Sequence, residues 1–403
     1  MPPEIVVTGM GVWSAAGTTP DQLWNHAVRG IPTAAWHEFD GEPALACVAP
    51  DPSPCPFFPQ AHRMDRSVRL ALAAAIPAAE LARVAEVDPT RVAILAGNSR
   101  GPAGLWTLPA TRRVRPTEAA HFAIAALSGA LSLALGARGP CLTVSATCAS
   151  AAHAIAIGAS LIHSGITDVV VAGAAEAPLV RPLLRQFRAA GLLGQDANPA
   201  LANRPFDVSR NGMVPGEGAA FIILETAEHA RTRGLVPWAT LAGWGLAAES
   251  HNRVATRADG DGLARSIRQA LAMAAVRPDQ VAHVNTHGTG TRVNDAAEAA
   301  ALRGVFENHL ARMPLSSTKP VTGHTFGATA ALEAILTILA IHHQTAPPTV
   351  GLTELDSALG ELQVCAHAKS FTGEYALSTS LGFWGNAAAL LFRKPVGQMP
   401  GRA

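Results

Sequence analysis

Short runs of β-branched and aliphatic residues recur along the chain at 5–8, 92–95, 142–145, 169–172, 221–224 and 281–285, and Ala/Leu-rich stretches lie between them. Apolar runs of this length read as strands buried on both faces. Their alternation with helices predicts layered α/β architecture around a buried sheet. The longest apolar stretch, 119–137, includes His121 and several Ser and Gly residues, and is read as a buried helix rather than a membrane span. The opening PPEIVVTGMGV has no basic leader region and no long apolar stretch, so it reads as a first strand. No low-complexity linker divides the chain.

The pattern also repeats. VDPTRVAILAGNSRG at 87–101 echoes VRPDQVAHVNTHGTG at 276–290, with Pro89 on Pro278, Val92 on Val281 and Gly101 on Gly290, each 189 apart. VVTGMG, ending at Gly11, resembles ATLAGWG, ending at Gly245. A third echo sets His153-Ala154-Ile155 on Glu333-Ala334-Ile335, 180 apart, which places Cys148 against Ala328. Three echoes in one order imply a duplicated α/β unit, with halves 1–235 and 236–403. A duplicated fold places its functional site where the copies meet.

Composition narrows the function classes. Of 403 residues, 49% are hydrophobic and 15% charged, enough for a large core. A net charge of +1 argues against a nucleic-acid partner. Arginines cluster at Arg63, Arg66 and Arg69, at Arg112, Arg113 and Arg115, and at Arg181, Arg185 and Arg188, where an acidic protein could dock. Cys47, Cys55, Cys141, Cys148 and Cys365 form an odd set without a C-x-x-C pair, which suits reduced thiols in the cytoplasm rather than disulfides or structural zinc.

Candidate chemistry begins at VSATCASAAHAIAIGASLI, 144–162, where Cys148 follows a strand and opens an apolar helix. Taken alone, such a cysteine is usually an inert core residue. At a helix N-terminus it could instead be a nucleophile, since free N–H groups favour thiolate by at most about 1.5 pK units. Two histidines lie in Gly-rich loops. His287, in NTHGTGTRVND, is accompanied by Thr289 and Thr291, whose hydroxyls could hold a polar substrate; His324 lies in SSTKPVTGHTFGATAALEA. Lys319 and Glu333 flank His324 as that segment's only charges and are read as an ion pair supporting the loop. Gly9-x-Gly11 is too weak a pattern for a dinucleotide loop, and no histidine has metal-ligand spacing.

TCAS, NRPFDVSRNGMVPGEGAAFIILE, NTHGTGTRVND, SSTKPVTGHTFGA and STSLGFWGNAA occur here in the order seen in elongating β-ketoacyl-acyl carrier protein synthases of the thiolase superfamily, which the chain resembles over nearly its whole length. The resemblance implies a thiolase-like, five-layered αβαβα fold and decarboxylative condensation of an acyl chain with malonyl carrier protein. It makes Cys148 the acyl acceptor, His287 and His324 the active-site histidines, Lys319 and Glu333 supporting residues, and Phe383 a gate. It implies no metal or organic cofactor. The implied partners are acyl carrier protein and either a second copy or a chain-length-factor-like homologue. A non-catalytic subunit is the alternative, opposed by the intact Cys148 and histidines. A thiolase-like enzyme acting on coenzyme A esters is another, opposed by the absence of a second cysteine near Phe383. Ala151, Trp384 and the Asn386-Ala387 pair depart from the family pattern in ways that suit a secondary-metabolite type II synthase.

Overall fold

The computed structural model describes residues 3–52, 63–108 and 116–395. Ten strands form one mixed sheet: β1 (Ile5–Ser14), β2 (Val92–Gly97), β3 (Cys141–Val144), β4 (Val169–Glu176), β5 (Gly218–Thr226), β6 (Ala239–Ala248), β7 (Val281–Asn285), β8 (Leu315–Ser316), β9 (Tyr375–Gly382) and β10 (Asn386–Arg393). The order is β8-β7-β9-β10-β6-β1-β5-β4-β2-β3. Reading outwards from the β1–β6 junction, both halves run through the same sequence, each strand of the second being five higher than its counterpart. Their orientations match too: two antiparallel pairings, then two parallel ones. At the junction itself only three residues of β1 pair with β6, Ile5 with Leu241 through Val7 with Ala239.

Seven helices matter for the layers and the site: α1 (Arg66–Leu81), α2 (Ala126–Leu135), α3 (Ser150–His163), α4 (Arg181–Ala189), α5 (Asp261–Ala274), α6 (Arg292–Phe306) and α7 (Thr329–His343). Side chains alternate across each strand, so the sheet has two apolar faces to cover. Ile94, Val171 and Ile223 face Leu70 and Leu72 of α1 and Leu127 and Leu131 of α2. Leu95, Val170 and Ile222 face the opposite way, onto α3 and α7, which also meet Leu390 and Phe392 of β10. Leu377 and Leu391 then pack on Leu263 and Ile267 of α5 and Leu302 of α6. The result is five layers, αβαβα, with α3 and α7 in the middle.

The repeats have physical causes. A Cβ on Gly9 would lie 2.2 Å from the Ala78 carbonyl oxygen and one on Gly11 2.0 Å from that of Ala74, both in α1. Gly243 and Gly245 stand in the same relation to Ala270 and Ser266 of α5, at 2.2 and 1.9 Å. The G-x-G pairs are sites of close helix–strand approach. Pro89 and Pro278 each begin a 3-10 turn leading into β2 and β7. The two central helices begin at Ser150 and Thr329, 179 apart, within one residue of the expected offset.

The stretch 119–137 differs from its expectation. It is interrupted near 123–125, and α2 buries Leu127 and Leu131 while Leu133 is 72% exposed. The neighbouring edge strand β3 likewise exposes Cys141 and Leu142. The helical stretch Phe326–His343 is long and apolar enough to cross a membrane, at mean hydropathy 1.4, but 89% of it is buried between the sheet halves.

Candidate active site

β3 ends at Val144, and the chain turns sharply through Ala146 and Thr147 before α3. Thr147 has φ +52°, a conformation that a β-branched residue adopts only under strain. Hydrogen bonds impose it. The Ser150 hydroxyl donates to the Thr147 carbonyl (2.6 Å) and accepts from the Ala146 N–H (2.9 Å). The Thr147 hydroxyl reaches the carbonyls of Ala146 (2.8 Å) and Phe383 (3.1 Å). Cys148 is thereby presented at the turn with 6% of its surface exposed. Burial pushes its thiol up to about 11, against the pull of Arg100 and Lys319. Desolvation and the helix terminus therefore act in opposite directions on this thiol.

His287 follows β7 in a loop pinned by buried carboxylates. Glu298 accepts from the N–H groups of His287 (2.8 Å) and Gly288 (2.7 Å), and from the Thr379 hydroxyl (2.7 Å). Asp295 accepts from Thr289 (3.1 Å), Gly290 (3.2 Å) and Phe206 (2.9 Å). Asn203 donates to the Thr289 carbonyl at 2.7 Å. The same segment holds His324, whose N–H donates to the Val214 carbonyl (2.8 Å) and whose carbonyl accepts from Gly216 (2.9 Å). One stretch, 203–217, thus clamps both histidine loops.

The rings themselves are oriented through their Nδ1 atoms. The Phe326 N–H donates to His324 Nδ1 at 3.0 Å. Lys319 Nζ lies 3.3 Å from His287 Nδ1, donates to the His287 carbonyl, and forms an ion pair with Glu333 at 2.5 Å. Burial, then the charge of Lys319, holds both imidazoles well below the usual histidine range, so both are neutral at pH 7. With each Nδ1 accepting, the hydrogen bonds assign the proton to Nε2 in both rings. The rings meet edge to face, with centroids 5.6 Å apart.

Cys148, His287 and His324 line one cavity of about 540 Å³, together with Thr289, Thr291 and Phe383. The Thr289 and Thr291 hydroxyls are 2.8 Å apart. Gly382 packs so closely on the cysteine turn that a Cβ there would lie 2.1 Å from the Thr147 hydroxyl oxygen and 3.1 Å from the Cys148 nitrogen. Asn386 donates to the Phe383 carbonyl at 3.1 Å, so it ties down the Phe383 loop from its displaced position. The cavity is therefore lined by a thiol, two neutral imidazoles, the hydroxyl-bearing Thr256, Thr289 and Thr291, and Arg292, with no carboxylate among the residues lining it.

The match to known proteins follows this layout. Residues 3–230 match the family model described as beta-ketoacyl synthase, N-terminal domain, and residues 238–353 match beta-ketoacyl synthase, C-terminal domain. The chain belongs to the beta-ketoacyl synthase family. It is 32% identical to the oxytetracycline polyketide beta-ketoacyl synthase 1 of Streptomyces rimosus, covering 97% of each chain. It is equally close, at 32%, to 3-oxoacyl-[acyl-carrier-protein] synthase 2 of Vibrio harveyi, covering 97% of this chain and 98% of that one. Among solved structures, a beta-ketoacyl synthase from Burkholderia phymatum superposes with TM-score 0.88 at 29% identity, covering 98% of this chain and all of the other. A type II polyketide ketosynthase, solved with its acyl-carrier protein and bound to the hexaketide, superposes with TM-score 0.89 at 26% identity, again over 98% and 100%.

Several residues of this beta-ketoacyl synthase site escaped notice in the sequence. Asp295 lies in the NTHGTGTRVND motif, Glu298 just beyond it and Asn203 in NRPFDVSRNG, but nothing in those stretches shows that they act as acceptors and clamps. Arg100 and Glu176 had no signal. Of the arginine clusters, Arg66 pairs with Glu217 at 2.6 Å, and Arg181, Arg185 and Arg188 all approach Glu42, at 2.9, 3.2 and 3.8 Å. Arg112, Arg113 and Arg115, and also Cys55, lie outside the described residues.

Proposed function

We propose that this ketosynthase elongates an acyl chain by decarboxylative condensation, with Cys148, His287 and His324 as its catalytic residues. The Cys148 sulfur attacks the carbonyl of an acyl carrier-protein thioester. The thiol proton leaves with the carrier sulfur, and the acyl group stays on Cys148. Carrier-bound malonate then enters. Its C–CO2 bond breaks, carbon dioxide departs, and the electron pair left on the adjacent carbon attacks the acyl carbonyl. The carbon–sulfur bond to Cys148 breaks, the departing thiolate takes up a proton from solvent, and β-ketoacyl carrier protein and the free Cys148 thiol result.

The observation that carries this reading is the pair of neutral imidazoles, each with Nδ1 occupied and Nε2–H available on the cavity shared with Cys148. Charge develops on the malonyl thioester oxygen during decarboxylation, and two fixed N–H donors stabilise it without adding a proton. The backbone N–H groups of Cys148 and Phe383 hold the oxyanion on the acyl carbon. Removing one such donor typically lowers rate by about 10²–10³. Thr289 and Thr291 would receive the amides of the carrier's arm. Lys319 and Glu333 act through His287 as positioning residues. The donors are all supplied by the chain, so no cofactor is called for.

The partners follow from the same reading. An acyl carrier protein delivers both substrates. A second ketosynthase-type chain, identical or chain-length-factor-like, covers the unpaired edge of β3 beside Leu133 and Leu142, and the ishigamide ketosynthase/chain length factor superposes on this chain with TM-score 0.87 at 29% identity. The chain divides near residue 235 into one half carrying the nucleophile and one carrying both histidines. Unbridged Cys47, Cys141, Cys148 and Cys365 support a cytoplasmic setting. The test is carbon dioxide release from malonyl carrier protein: Cys148→Gln retains it and His324→Ala loses it. Full release by His324→Ala would remove that histidine from the mechanism.

A further inference from the structure

Arg100 lies just beyond β2, and its guanidinium carbon sits 5.2 Å from the ring centroid of Phe187 and 5.4 Å from that of Phe326. Phe187, from α4, stacks on Phe326 at 4.7 Å, and Phe326 stacks on His324 at 4.9 Å with 28° between the planes. A column therefore runs from a cation through two aromatic rings to an active-site imidazole. Phe326 is no passive spacer. It holds φ +48°, and its N–H occupies His324 Nδ1, so its backbone position decides which nitrogen of His324 carries the proton.

The other end of the column is anchored by a buried carboxylate. Glu176, at the end of β4, accepts from the N–H groups of Ser99 and Arg100. A Cβ on Gly327 would lie 2.9 Å from the Ser99 nitrogen and 3.0 Å from Glu176 Oε1, so the Phe326–Gly327 turn rests directly on this anchor. Among the described residues the Arg100 guanidinium has no carboxylate within ion-pair distance, and its buried Nε has no hydrogen-bond partner. A cation placed over ring faces and left unpaired keeps its field, and here the field reaches the thiol and the imidazole.

We propose that Arg100 is a positioning residue for His324: its guanidinium, seated over the Phe187 and Phe326 rings, holds the Phe326 turn that fixes the His324 ring. The role rests on the assignment of Cys148 and His324 given above. Arg100 is the foremost of the charges lowering the thiol against burial, ahead of Lys319, while Glu176 and Glu333 raise it. His287 and His324, both neutral, share the cavity with the thiol.

The experiment is the pH profile of Cys148 alkylation by iodoacetamide, located by peptide mass, alongside decarboxylation of malonyl carrier protein, for wild type, Arg100→Met and Arg100→Lys. Arg100→Met is expected to alkylate about 3- to 10-fold more slowly at pH 8, with its profile displaced to higher pH, while Arg100→Lys stays within about twofold of wild type. Decarboxylation by Arg100→Met is expected to fall about tenfold. Decarboxylation by Arg100→Met at the wild-type rate, or an alkylation profile for it that superimposes on wild type, overturns the role. If Arg100→Met does not fold, Phe326→Leu replaces it. That variant keeps the charge but removes the ring, so undiminished decarboxylation would overturn the positioning role. A wild-type enzyme that never acylates Cys148 would instead defeat the condensing reading itself.

Discussion

Lys319 Nζ stands 3.3 Å from Nδ1 of His287, and this contact fixes the ring nitrogen that bears the proton. The same ammonium meets Glu333 at 2.5 Å, and both side chains are buried. One lysine therefore sets the tautomer of a proposed catalytic histidine and neutralises an interior carboxylate. Replacing it by Met leaves Glu333 without its partner, a change of the kind that destabilises by about 3–5 kcal/mol. Lys319→Met should show a lowered Tm together with loss of malonyl decarboxylation. Wild-type stability in that variant would show that the pair is not a structural requirement.

Glu298 receives two backbone N–H groups, from His287 and Gly288, one on each carboxylate oxygen. In Glu298→Gln one of those donors would face an amide NH2. A buried donor left without an acceptor costs about 1–3 kcal/mol. Chemical denaturation should register that loss, and condensation should slow because the His287 loop moves. Equal denaturation midpoints for variant and wild type would count against the clamp.

The Cys148 thiol, pushed up to about 11 by burial, gives a pH dependence with a definite sign. Only thiolate reacts with iodoacetamide, so the alkylation rate should climb about tenfold per pH unit from 7 to at least 9. A plateau below pH 8 would mean that the free enzyme already holds a thiolate.

Much of this site was legible in the sequence because its residues sit in compact motifs. Cys148, His287, His324, Lys319 and Glu333 each lie within a stretch recognisable by order and spacing. Gly9 and Gly11 recur as Gly243 and Gly245 for a local reason: in each case a helix carbonyl occupies the space of a side chain. The unread features depend on contacts between distant segments. Thr147 is forced to positive φ partly by Phe383, 236 residues away. Arg100 meets Phe326 only once two halves of the sheet are assembled. The thiol's elevation has no signal in the sequence, because helix position is visible there and desolvation is not. Leu133 was expected inside and lies outside for a related reason: an apolar run does not reveal which face is covered.

Gly382 joins the Phe383 loop to the cysteine turn. Its backbone φ of −136° suits any residue, but a Cβ would lie 2.1 Å from the Thr147 hydroxyl oxygen. Gly382→Ala should therefore displace the loop and cut condensation at least about tenfold through misplacement alone. Condensation at the wild-type rate would mean that the loop contact is not needed.

The central claim is that Cys148 carries the acyl chain. Intact-protein mass spectrometry after incubation with acyl carrier protein tests it most directly, with Cys148→Ala as control. The account predicts one acyl mass added to wild type, mapped to the Cys148 peptide, and none added to the variant. An unmodified wild-type chain, or the same added mass on Cys148→Ala, would contradict it.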